Sequence, residues 1–81
     1  DQKVIIHKSM ALAAQNFMLS MSEIGYDTCP MEGSDTSRVK KILNLPRKAE
    51  INMIVGCGVR SEKGVYTERF RVPFNEVYRK I

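Results

Sequence analysis

The chain has 81 residues, with 13 Lys and Arg against nine Asp and Glu, a formal net charge of +4 and a pI near 9.3. That length makes one small domain and no more, and a domain so short buries only about 60% of the surface its unfolded chain exposes, so nearly every apolar residue is needed for a core. The basic balance points to an anionic partner, either nucleic acid or an anionic cofactor, and no apolar run approaches the roughly 18 residues that a membrane span needs.

From about Lys3 to Ile24 the pattern is helical. Met10, Ala14, Phe17, Met21 and Ile24 recur at the alternating four- and three-residue spacing of one helix face. Ala11, Leu12, Ala13 and Met18 widen that face well past half the circumference. A helix so apolar belongs in an interior or between subunits, so a long buried helix is predicted. Gly25 is placed to end it as a C′ glycine. His7 stands alone and reads as a surface or capping residue.

Next comes "CPMEGSD", residues 29–35. Gly33 lets the backbone approach something closely, and a helix start just beyond leaves N–H groups free for an acceptor. On the residues alone, Gly33 serves either that approach or a simple turn. Ser34 or Asp35 can cap a short second helix whose apolar positions are Val39, Ile42 and Leu43 and which Pro46 stops. Around it Arg38, Lys40, Lys41, Arg47 and Lys48 form a run with no acid. Such a run is read as a solvated face or as a phosphate-binding cluster.

Residues 51–59, "INMIVGCGV", read as a strand. It is apolar at consecutive positions, which suits a core strand of a mixed or parallel sheet, covered on both faces. Residues 65–72, "VYTERFRV", can be extended, and Pro73 opens a short terminal segment suited to a helical turn. The chain thus offers a doubly covered strand with at most one convincing neighbour, and a helix with more apolar surface than one short helix can cover. Unpaired strand edges and apolar patches of that size imply a larger unit, either more chain or an obligate dimer.

Cys29 and Cys57 are far apart in sequence, with no CxxC and no histidine pair beside them, which excludes a zinc module and does not describe a disulfide scaffold. A reduced, cytoplasmic setting is the expectation. There is no signal-peptide pattern, repeat or low-complexity tract.

In this order the pieces resemble the C-terminal portion of the FMN-dependent nitroreductase family: "ALAAQNFMLSMSEIGYDTCPMEGSD", then "VKKILNLP", "INMIVGCGVR" and "RFRVP". The resemblance runs over about residues 10–74. Ser34 stands where the family has Phe, and Asn44 where its "LGLP" has Gly. It implies an α+β fold, with the 81 residues forming a single partial domain. It further implies an oxidoreductase that binds FMN at a homodimer interface. There NAD(P)H delivers hydride to flavin N5, and electrons pass on to a nitroaromatic, quinone or similar small acceptor.

By the same resemblance, Pro30, Met31, Glu32 and Gly33 lie against the flavin ring. The backbone N–H groups of Glu32 and Gly33 are aimed at N5 and O4, where preorganised donors stabilise the charge gained on reduction. Arg69 and Arg71 reach the FMN phosphate. Their i, i+2 spacing puts both on one face of an extended segment, and a guanidinium fork matches phosphate oxygens. The alternative is an edge strand guarded by charge. The flavin carries the chemistry, so no catalytic triad or metal cluster is required.

The family's N-terminal phosphate-binding run has no counterpart here, and the first residue is Asp1 rather than Met. The expectation is therefore a processed or partial chain that by itself holds FMN weakly and turns over little, completed by a second copy or by the missing N-terminal half. Nucleic acid is the main rival partner; against it, no aromatic platform or binding motif accompanies the basic residues. A purely structural interaction module is the third reading.

Overall fold

A computed structural model describes all residues, 1–81. The first helix, α1 (Gln2–Glu23), starts with the Asp1 carboxylate accepting from the Lys3 N–H at 3.0 Å. It ends where Gly25 takes a φ of 91°. There the Gly25 N–H donates to the Ser22 carbonyl and the Tyr26 N–H to Met21, the paired bonds of a Schellman turn.

The chain then enters β1 (Asp27–Met31), which pairs antiparallel with β2 (Ile54–Gly58). Asp27 faces Gly58, Cys29 faces Gly56 and Met31 faces Ile54. Between them lies α2 (Thr36–Ile42), capped by Asp35, whose carboxylate accepts from the Arg38 N–H at 3.3 Å. Asp35, rather than Ser34, fills the capping role. A second Schellman turn ends α2, with Asn44 at φ 54°, the Asn44 N–H on Lys41 O and the Leu45 N–H on Lys40 O. Asparagine is, after glycine, the residue that most often takes this left-handed position, so Asn44 can close the turn. A short 3-10 turn (Glu62–Gly64) and α3 (Phe74–Val77) follow. The Phe74 ring, at the start of α3, stacks with that of Tyr78, just past its end, at 4.7 Å.

Two expectations about the sheet change. β2 takes as its partner β1, a stretch read as turn, instead of the 65–72 segment, which stays irregular. Pro30 hides β1 from sequence reading because proline cannot donate to a ladder and is confined to edges. Within these residues the sheet is a two-stranded antiparallel pair with no parallel member. β2 is half-buried at Ile54, Val55 and Gly56 and exposed at Cys57 and Gly58, so this chain does not supply cover for both faces.

α1 rests against β1, but it is not buried within these residues. Its half-buried positions are His7, Ala11, Ala14, Met18 and Met21, a stripe rotated from the expected one, with Met10, Phe17 and Ile24 left exposed. The helix is apolar nearly all round, so several stripes were equally plausible. The one used is rich in alanine, which lets the other backbone approach closely.

No side chain in the chain is fully buried. The radius of gyration is 16.2 Å, against about 12 Å for a compact domain of this length. The fold is an open arrangement of α+β elements whose apolar surfaces await cover.

Because the side chain of Asp35 supplies the N-cap contact of a two-turn helix, Asp35→Ala should cost about 1 kcal/mol. Chemical denaturation of the full-length protein measures this, and an unchanged midpoint would remove the cap from the account.

Candidate functional site

The β1–β2 pairing ends at Met31 and Ile54. Beyond it Glu32 and Gly33 cross to the capping Asp35, outside strand and helix alike. Neither the Glu32 N–H nor the Gly33 N–H donates to any backbone or side-chain acceptor of the chain. Free backbone donors of this kind are ordinarily paired or presented to a ligand or solvent. Met31, Gly33, Ser34 and Ile54 line an open hollow of about 430 Å³. A Cβ added at Gly33 would meet no heavy atom within 4 Å. Pro30 and Met31, the last two residues of β1, are exposed.

Arg69 and Arg71 lie on the irregular 65–72 stretch, both exposed. Arg71 Nη1 donates to the neighbouring Phe70 carbonyl at 2.8 Å. No hollow of the chain is lined by either arginine, so these residues alone do not bring them together with Gly33.

At the opposite end of the ladder, Arg60 Nη2 meets Asp27 Oδ1 at 2.8 Å. The hydrogen bond from Arg60, aided by its charge, lowers the Asp27 pKa and raises that of Arg60. This clasp ties the start of β1 to the residues just after β2.

A further polar cluster carried no sequence signal, since its members lie 43 and 45 residues apart. His7 Nε2 contacts Glu50 Oε2 at 2.7 Å, and Lys3 Nζ reaches Glu50 Oε1 at 3.1 Å. Asn52 Nδ2 faces both the His7 carbonyl, at 3.2 Å, and His7 Nδ1, at 3.0 Å. An amide nitrogen bonded to that carbonyl makes Nδ1 the acceptor and leaves the ring proton on Nε2, donated to Glu50. The bond from His7 and the ammonium of Lys3 lower the Glu50 pKa. Instead of capping or standing free, His7 latches α1 to the segment leading into β2. No three His, Cys, Asp or Glu side chains gather as a metal site, and no helix is long and apolar enough to cross a membrane.

The nitroreductase family model matches residues 1–59. The chain belongs to the nitroreductase family. The match takes in α1, Pro30 to Gly33, α2 and β2, and stops short of Arg69 and Arg71.

Among relatives, a Bacillus subtilis protein that carries the name NAD(P)H nitroreductase MhqN is 39% identical over 69 residues, 85% of this chain and 34% of its own length. Protein DrgA of Synechocystis sp. is 36% identical over 66 residues, 82% of this chain and 31% of its own length. The crystal structure of ydfN from Bacillus subtilis, titled a nitroreductase, superposes with a TM-score of 0.78 at 37% identity, over 88% of this chain and 34% of that one. The chain thus spans about a third of the length of the nitroreductase relatives it matches.

The Asp27–Arg60 clasp sets an acid dependence. Asp27 has a folded pKa below its ordinary value of about 3.9. Its contribution to stability is therefore complete above that value and is lost as pH falls through the lowered one. Wild-type protein should accordingly exceed Asp27→Asn in denaturant midpoint near neutrality, with the gap closing on acidification and shrinking in salt. A gap constant down through the acid range would show that the carboxylate's charge is not what stabilises the pair.

Proposed function

We propose that this chain is the flavin-facing part of an FMN-dependent NAD(P)H oxidoreductase, with Pro30, Met31, Glu32 and Gly33 against the flavin ring and Arg69 and Arg71 on its phosphate. The observation that carries the reading is the pair of undonated N–H groups at Glu32 and Gly33, beside a glycine whose missing Cβ leaves open space. The residues fit FMN in the chemistry of their donors as well. Backbone N–H groups suit electronegative ring atoms, and two guanidinium groups suit a phosphate. Membership of the nitroreductase family, and a relative named for NAD(P)H-dependent nitroreduction, support the same assignment.

When bound, FMN supplies hydride and electron transfer between a nicotinamide donor and a small acceptor such as a nitroaromatic or quinone. The chain's own contribution is positional. The ladder holds Met31 at its last register pair, and the Asp35 cap fixes where the chain re-enters a helix. Glu32 and Gly33 are held between those two points, so their N–H groups need little reorganisation to meet developing negative charge. Gly33 permits close approach of the ring. The exposed apolar faces of α1 are covered by a second subunit or by the remainder of the protein, where the site is completed. The protein acts in the cytoplasm, and the 81 residues alone have little or no turnover.

Two substitutions in the full-length protein test the assignment. Gly33→Ala introduces a Cβ that touches nothing within 4 Å in this chain, so the flavin-free protein should melt as wild type. FMN affinity should nevertheless fall, on the order of tenfold, as overpacking against a close ring implies. Unchanged flavin content would show that nothing approaches Gly33.

Arg71→Ala should weaken FMN by about tenfold or more, the worth of a hydrogen bond to a charged group. Flavin fluorescence on dilution reads the release. Retention of full flavin occupancy would remove Arg71 from the phosphate.

A further inference from the structure

The largest hollow of the chain is not the proposed flavin site. It lies at the C-terminal end of α2, has a volume of about 620 Å³ and is lined by Ser37, Lys40, Lys41, Asn44, Leu45 and Arg47. Its wall is shaped by the turn at Asn44, whose left-handed backbone folds the following residues back along the helix. Lys40 Nζ then donates to the Arg47 carbonyl at 3.2 Å, tying the returning strand of the loop to the helix.

Cations at a helix C-terminus often serve its free carbonyls. Here three of the last four carbonyls of α2 are served by backbone N–H groups, and no cation bonds the remaining one, that of Ile42. The carbonyls of Val39, Lys40 and Lys41 accept from the N–H groups of Leu43, Leu45 and Asn44. The ammonium of Lys41 and the guanidinium of Arg47 meet no carboxylate and no carbonyl of the chain. The nearby acids are engaged elsewhere, Asp35 with Arg38 and Glu50 with Lys3 and His7. Lys40 keeps two further N–H donors after its bond to Arg47, and Ser37 adds a hydroxyl. Three positive charges, a hydroxyl and an amide thus surround one concavity with no acid among them.

We infer that this hollow binds a phosphoryl group of a small ligand, at a site separate from the one at Gly33. Lys40, Lys41 and Arg47 supply charge-assisted donors, and Arg47 the planar fork that matches two phosphate oxygens. A small ligand is favoured over a nucleic-acid backbone because the cations converge on one concavity, whose lining has no aromatic surface for bases to stack on. This inference does not depend on flavin binding. Its phosphate could be a free anion or part of a nucleotide, and the two are separable by probe.

The test uses the full-length protein, with titration calorimetry of inorganic pyrophosphate and, separately, of a nicotinamide dinucleotide with and without its 2′-phosphate. Saturable pyrophosphate binding that weakens with salt is expected. Lys41→Ala with Arg47→Ala should reduce it by about tenfold or more, whereas Lys63→Ala, on the 3-10 turn and outside the lining of the hollow, should not. Tighter binding of the 2′-phosphorylated dinucleotide, lost in the same double variant, would identify a nucleotide as the source. Binding of both dinucleotides unaltered in the double variant would leave a free anion as the ligand, since each carries a pyrophosphate that the hollow itself would hold.

The charge-retaining Arg47→Lys guards against a folding artefact and should keep partial binding. Absence of saturable pyrophosphate binding at low salt would overturn the inference, as would full binding by the double variant. So would a duplex DNA oligonucleotide that binds more tightly than pyrophosphate and is weakened by the same substitutions.

Discussion

The ladder between Asp27–Met31 and Ile54–Gly58 is the constraint on which the remaining geometry depends. Strand side chains alternate between faces, so a slip of one residue would exchange every position of β1 between the two sides. The register is held at one end by the Asp27–Arg60 clasp. At the other it stops at Met31, and the next two residues leave with their N–H groups undonated because no strand continues opposite them. The cap at Asp35 then limits how far the connection can wander. The exposed donors of Glu32 and Gly33 therefore follow from where pairing ends and where the helix begins.

The second constraint is the lack of a core. α1 is half-buried only along a narrow stripe of His7, two alanines and two methionines, while Ile5, Ile6, Leu12 and Leu19 are more than half exposed. Helix propensity alone gives only marginal stability to isolated helices, and most of a helix's stability in a protein comes from packing one face. Water is a poor environment for the other faces. The latch of His7, Glu50 and Asn52 reinforces the one packed side by joining the start of α1 to the approach to β2. It does nothing for the opposite side, whose apolar side chains stay exposed.

What the sequence revealed and what it hid divide along physical lines. Both helix ends were legible, because Gly25 and the Ser34-Asp35 pair act locally, through backbone sterics and a capping carboxylate. The strand at Ile54–Gly58 was legible from its apolar run. β1 was not, since Pro30 reads as turn while its strand character comes entirely from the partner. The used face of α1 was hidden by its near-uniform hydrophobicity. The latch was hidden because a lone histidine, a glutamate and an asparagine at such separations have no pattern until the chain folds. Of the candidate site, Pro30 to Gly33 are held together as neighbours on one connection, whereas their relation to Arg69 and Arg71 depends on a segment with no ladder of its own.

That difference bears on how the two basic regions meet an anion. Lys40, Lys41 and Arg47 sit on a helix and on the turn that closes it, so their backbone is held before any ligand arrives and the ordering cost is confined to side chains. Arg71 stands on irregular backbone, with one N–H on the Phe70 carbonyl. Exchanging that neutral acceptor for a phosphate oxygen strengthens the bond, roughly twofold by the usual measure of charge assistance, but the 65–72 segment must be ordered in the same event. On the proposed assignments, affinity at the arginine pair would be coupled to whatever packs on that segment, while affinity at the α2 hollow would not. The two sites should therefore respond differently to assembly, the first strengthening as the rest of the protein or a second subunit covers residues 65–72, the second remaining nearly indifferent to it.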